Sequence, residues 1–180
     1  MFGTFTDERD GMVYKTVKIG NQIWFAENLR FNCASSFVYD NNPGYEKVLG
    51  RLYTWGMLND LAPAGWRVPS KDDWLALESF MEEQGLRNYM QKCAALRVPE
   101  VWNLGGMDKD GTNDFGFSAL PAGFGQDGQF WSLGEKSGFW SSTEDDYSKG
   151  GAYQFQMNSM FARTLTENKF SAFSVRLIKE

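Results

Sequence analysis

Asp114-Phe115-Gly116-Phe117-Ser118-Ala119-Leu120-Pro121-Ala122-Gly123-Phe124-Gly125 and, a short way downstream, Gly138-Phe139-Trp140-Ser141-Ser142-Thr143-Glu144 decide how this chain is read. Each run sets large apolar side chains among residues too small to fill space, the look of a strand covered on both faces. The alternation is imperfect, and Gly116, Gly123 and Gly125 mark bulges or bends where backbones approach closely. Pro121 argues for a sheet edge or a strand end. Between the runs, Gln126-Asp127-Gly128-Gln129 carries the Asp-Gly dipeptide of a tight hairpin. The rest of the chain is expected to pack on this element or decorate it.

Toward the N-terminus, Gly11 to Ile19 alternates as a strand, and Gly20-Asn21 turns it into a second, Gln22 to Ala26. Glu27 to Glu46 is polar, aromatic and irregular, with a turn at Asn41-Asn42-Pro43-Gly44, and reads as a surface loop. Leu52, Trp55 and Leu58 have helical spacing and predict a short helix over residues 50–60. The clearest helix starts at Ser70, an N-cap with Asp72 and Asp73 in the first turn. Its stripe is Trp74, Leu77 and Met81, and Gly85 closes it. Ala94 to Val98 reads as a short strand before Pro99. Downstream of the central runs, Ala152 to Asn158 and Phe170 to Ile178 alternate as strands, with Ser159 to Thr166 as a connection or a short strand.

Composition excludes several classes. The 180 residues fit one domain, and an aromatic content of 16% with 19 glycines favours a loop-rich fold with short strands over a helical bundle. A formal charge of −5 and no Lys/Arg cluster argue against nucleic acid as a partner. No apolar run is long enough to span a membrane. Met1 to Asp10 lacks the apolar core of a secretory signal, so the chain is expected either to be made for the cytosol or to be a module parted from its leader. Cys33 and Cys93 belong to no Cys-x-x-Cys pair; a bridge between them stays open, with two free thiols the expectation. Histidine is absent, which removes the commonest general base and most transition-metal sites.

Asp10-Gly11-Met12-Val13-Tyr14-Lys15-Thr16-Val17-Lys18-Ile19-Gly20, Trp24-Phe25-Ala26-Glu27-Asn28-Leu29, Gly65-Trp66-Arg67-Val68-Pro69, Gly116-Phe117-Ser118-Ala119-Leu120-Pro121, Trp140-Ser141-Ser142-Thr143-Glu144 and Phe173-Ser174-Val175-Arg176 follow one another along nearly the whole chain. In that order they resemble the Fibrobacter succinogenes major paralogous domain, a module of secreted and lipid-anchored proteins of Bacteroidetes and Fibrobacteres. The resemblance implies an α+β, C-type-lectin-like fold of the formylglycine-generating-enzyme subtype: two helices on a small, twisted, mostly antiparallel sheet. It also implies an extracellular or cell-surface setting. Members usually carry a cysteine before the Pro-x-Gly-Trp stretch and another after Ser-Val-Arg. Here Ala62 and Leu177 stand at those positions, which weakens the case for an oxidising compartment and admits a cytosolic or phage-particle origin.

The chemistry points to binding. The formylglycine-generating relatives use paired cysteines near the chain end, and residues 162–180 hold none. Ser118 and Ser141 have no histidine to activate them, and Glu144-Asp145-Asp146 reads as a solvated turn. Asp108, Asp110, Asn113 and Asp114 offer oxygens at a spacing like a calcium loop, without its twelve-residue frame or closing Glu. Calcium is the candidate cofactor there, a plain polar turn the alternative. Trp131, Tyr147, Tyr153, Gln154, Gln156, Asn158, Phe161, Arg163 and Asn168 mix rings, amides and a guanidinium, a combination suited to recognition. Strand geometry turns about half of such residues inward, and Trp131 and Trp140 are candidates to stack on sugar rings. The expectation is a non-enzymatic adhesion or ligand-binding module for a protein or glycan on a cell surface, using the C-terminal loops and strands. The alternative that the resemblance offers is a receptor-binding protein diversified by a retroelement, with Gly138 to Ile178 as the variable segment. An enzyme of the formylglycine-generating type is the third reading.

Overall fold

The N-terminal alternation folds as expected, and it gains a partner. In a computed structural model describing residues 1–99, 101–102, 111–145, 151–157 and 162–180 (the side chains of 151–156 and 162–163 excepted), β2 (Val13–Ile19) turns at Gly20, φ 57°, into β3 (Gln22–Phe25). Ahead of them β1 (Phe2–Thr6), unforeseen in the sequence, pairs antiparallel with β2 from Phe2 opposite Val17 to Thr6 opposite Val13. Then follow β4 (Ser36–Phe37), the one-turn helix α1 (Glu46–Leu49), β5 (Leu52–Thr54), β6 (Trp66–Arg67), α2 (Lys71–Glu83) and α3 (Tyr89–Leu96). The C-terminal half supplies β7 (Ala122–Gln126), β8 (Gln129–Leu133), β9 (Ser137–Glu144), β10 (Gly151–Met157), β11 (Ala162–Asn168), β12 (Ala172–Phe173) and β13 (Ile178–Lys179).

Two mostly antiparallel sheets result, where one small sheet was expected. One runs β1-β2-β3-β13-β6; the other runs β11-β10-β9-β7-β12-β5-β4, with β8 paired to β7. The helices share one apolar cluster, where Trp74, Leu77 and Met81 of α2 and Cys93 and Leu96 of α3 meet Trp24, Phe117 and Phe139. A second cluster joins the sheets through Tyr14, Phe25, Tyr53, Trp66, Trp140, Phe173 and Leu177, with Ala62 packed against it. Ala62 and Leu177, the positions where the resemblance implies cysteines, thus belong to one apolar cluster. Cys33 and Cys93 are both free thiols.

The helix at Ser70 forms as read: the Asp73 N–H donates to Ser70 Oγ at 3.2 Å, and the Ser70 N–H donates to Asp73 Oδ2 at 2.7 Å. Four other expectations are corrected. Residues 94–98 are not a strand; α3 ends at Leu96 and begins at an Asn88 cap, whose Oδ1 accepts from the Gln91 N–H at 2.9 Å. Residues 50–60 are not a helix. Tyr53 pairs with Phe173 and with Ser36, so Leu52–Thr54 is a strand and only Trp55–Asp60 coils, as a 3-10 turn. Residues 114–121 are irregular, with Ser118 at φ 57°, and the strand begins after Pro121. Finally, residues 170–178 are two short strands in different sheets.

The break between those strands is held by Arg176, which is fully buried. Its Nε donates to Asn28 Oδ1 at 2.6 Å and its Nη1 to the carbonyls of Phe25 at 3.1 Å and Phe117 at 2.6 Å. Its Nη2 donates to the Ser118 carbonyl at 2.8 Å. The guanidinium lies 4.8 Å from the Phe117 ring centroid and 5.5 Å from that of Phe139. Burial pulls its pKa down to about 9, opposed by Glu27, so it stays cationic at neutral pH.

Candidate functional site

The hairpin β7–β8 is built by its turn. Asp127 and Gly128 both have positive φ, 49° and 76°, the backbone of a type I′ turn whose twist matches that of the strands. Two glycines of β7 make room for what packs there. A Cβ on Gly123 would lie 2.3 Å from the Trp131 carbonyl oxygen, and one on Gly125 would lie 3.1 Å from the Phe130 ring. The Phe130 ring stands 5.2 Å from that of Tyr39.

Around the tip of this hairpin lies a groove of about 230 Å³, lined by Phe37 of β4, Thr54 of β5, Gln126, Gln129 and Phe130 of the hairpin, and Phe170. Phe170 is 75% exposed, an extreme value for an aromatic side chain. The turn that presents it is held by Asn168, whose Oδ1 accepts from the Phe170 N–H at 2.9 Å and whose carbonyl accepts from the Ser171 N–H at 3.0 Å. Ser171 Oγ in turn donates to Gln126 Oε1 at 3.5 Å.

A column of rings crosses the same hairpin. Phe173, in the core, stacks on Phe124 with centroids 5.6 Å apart, and Phe124 stacks on Trp131 at 5.4 Å. Lys136 Nζ sits 4.6 Å from the Phe124 centroid, and burial lowers its pKa against an opposing pull from Glu167. Beyond, Lys169 lies 4.4 Å from the Trp55 ring and forms an ion pair with Glu144.

Of the sequence-predicted binding residues, Trp131 and Asn168 are exposed at this end of the sheet. Tyr153, Gln154 and Gln156 lie on β10 and Arg163 on β11, Gln156 opposite Arg163 and Tyr153 opposite Thr166; their side chains are outside the described residues. Tyr147, Asn158 and Phe161 are outside them altogether, as are Asp108 and Asp110. Asn113 is engaged within its own loop: Nδ2 donates to Ser118 Oγ at 3.0 Å, and Oδ1 accepts from the Ser118 N–H at 2.8 Å. Asp114 is exposed, and among the described residues no group of three or more acidic or cysteine side chains is placed to hold a metal ion. Trp140 is no stacking platform; it is fully buried and donates to the Tyr53 carbonyl at 2.7 Å. Ser141 is buried too, its Oγ accepting from the Thr143 N–H at 3.0 Å.

Phe37, Phe130 and Phe170 were missed as site residues. The signal available was the Asp-Gly turn itself, which brings Gln126, Gln129 and Phe130 to one place.

Three sequence motifs meet at one point: Asn28 and Phe25 from one, Phe117 and Ser118 from the second, all accepting from Arg176 of the third. A sequence model of the Fibrobacter succinogenes major domain matches residues 17–179. The chain belongs to that family. This Fibrobacter succinogenes major domain thus joins residues of three motifs at the buried Arg176, and has its groove residues Phe130 and Phe170 outside the motifs. Nothing matches the chain among curated proteins or among solved structures. Among the described residues no helix is long and apolar enough to cross a membrane.

Proposed function

We propose that this Fibrobacter succinogenes major domain is a non-enzymatic ligand-binding module with a C-type-lectin-like fold, acting at a cell surface. It takes a protein or glycan ligand at the tip of the β7–β8 hairpin and the turn that carries Phe170. The observation that carries the reading is the groove of about 230 Å³, where three phenylalanines and two glutamines converge on elements from distant parts of the chain. Such a mixture gives apolar area with directional hydrogen bonds, and exposed rings on a rigid scaffold are the usual anchors of recognition. Phe170, held out by Asn168, is the natural anchor.

The test is an array of glycans and surface proteins probed with the wild-type domain and with Phe170→Ser. Specific capture at micromolar concentration, lost in the variant while its thermal midpoint is unchanged, is the expected result. Absence of any ligand, or capture indifferent to Phe170, counts against the proposal.

A further inference from the structure

We infer that the ligand is a neutral carbohydrate, stacked on Trp131 and hydrogen-bonded by Gln126 and Gln129. The inference rests on the binding-module reading above and narrows it to a substrate class. Residues directly opposite in an antiparallel pair share a face of the sheet. The register sets Phe124 against Trp131 and Gln126 against Gln129, so these four side chains occupy one face. Trp131 is 39% exposed. Its inner side leans on Phe124 at 5.4 Å with the rings 27° from parallel, and Phe124 leans on Phe173 at 5.6 Å and 21°. Two further rings, the last of them in the core, thus fix the exposed indole, so a ligand laid on it meets a surface already ordered.

Two residue pairs along the hairpin, at the next pair on the same face, stand two carboxamides. Each offers both donor and acceptor atoms, the complement of vicinal hydroxyls, which also do both. A flat apolar platform beside neutral donor-acceptor groups matches a pyranose, whose ring carries an apolar C–H face and an equatorial rim of hydroxyls. Of the nearby charges, the cation is engaged and the carboxylate, Asp127, lines the groove between the two glutamines, where it repels an anionic ligand. Lys136 lies over Phe124 and Phe173, and Asp127 occupies the turn. The net charge of −5 disfavours polyanions, including nucleic acids whose bases also stack.

The experiment is a titration followed by the Trp131 indole N–H signal in ¹H–¹⁵N spectra. The probes are neutral hexasaccharides of glucose, mannose and galactose, with a hexagalacturonate as the charged counterpart. One neutral probe is expected to shift the indole signal, with half-saturation at or below about 1 mM, the affinity of a small contact. Trp131→Ala should weaken binding by about tenfold or more, as loss of a stacking ring does, and Trp131→Phe should restore most of it. Gln129→Ala should weaken it about fivefold. The dispersed spectrum of each variant verifies its fold. The inference is overturned if no neutral probe moves Trp131, if Trp131→Ala binds as well as wild type, or if the hexagalacturonate binds more tightly. Should those failures accompany a protein ligand that depends on Phe170, the binding-module reading stands without the sugar; should no ligand of either kind be found, both fall.

Discussion

Replacing Arg176 by methionine tests what holds the two sheets together. The substitution keeps a long unbranched side chain and removes every donor. Asn28 Oδ1 and the carbonyls of Phe25, Phe117 and Ser118 then lose the partner that reaches them at 2.6–3.1 Å. A buried acceptor left unpaired costs about 1–3 kcal/mol, so four at the low end amount to about 4 kcal/mol. Against this stands relief from burying a cation, itself several kcal/mol. The loss wins because three of the four contacts are buried, where water cannot replace the guanidinium, and each hydrogen bond to a charged group contributes about 1.5–3 kcal/mol. With a urea slope of about 2 kcal/mol/M, the unfolding midpoint should fall by about 2 M. The assay is urea denaturation followed by tryptophan fluorescence. Arg176→Lys should recover less than half of the loss, because one ammonium cannot present a planar fork to four acceptors. A midpoint within about 0.5 M of wild type for Arg176→Met would refute the reasoning.

Three further outcomes are expected. Burial pushes the Asp73 carboxyl up, but hydrogen bonds from Arg67 and Ser70 more than offset it and hold it below the usual carboxylate range; its stabilisation is present above its unfolded pKa and lost as pH falls through the folded one. Asp73→Asn should therefore cost about 1 kcal/mol at neutral pH and flatten the acid limb of a pH–stability curve, and an unchanged acid limb would contradict this. Glu78 runs the other way: burial raises its carboxyl against hydrogen bonds from the Thr164 N–H and hydroxyl. Its folded form holds a proton that the unfolded chain releases first, so stability declines as pH climbs from the unfolded pKa to the folded one. Glu78→Gln should remove that decline, seen by comparing urea midpoints at pH 4 and pH 7. Gly123→Ala should destabilise by about 2 kcal/mol or more, because φ is 66° and the new Cβ would meet the Trp131 carbonyl at 2.3 Å; a calorimetric midpoint unchanged from wild type would show the hairpin can shift.

What could be read from the sequence was whatever its neighbours specify. Ser70 with Asp73, the Asp127-Gly128 turn and the β2–β3 hairpin are settled by residues within a few positions of one another. The failures share a physical cause. Leu52, Trp55 and Leu58 have helical spacing, yet Tyr53 is drawn into a strand by Phe173, 120 positions later. Residues 170–178 alternate like one strand, and only the three-dimensional placement of Asn28 and Phe117 explains why they divide at Arg176. The amide and aromatic character of the candidate site was legible. Its location was not, because Phe37 of β4, Phe130 of β8 and Phe170 in the turn before β12 meet only after these elements have been brought together around one sheet.

The position of β12 in one sheet and β13 in the other has a consequence for how the molecule is born. Both sheets stay unfinished on the ribosome until the latest-synthesised strands of the domain emerge. Most of the polypeptide thus waits with its tryptophan-rich interior uncovered, in the keeping of whatever chaperones attend it, and consolidates late, in a step whose non-local pairings make it slow.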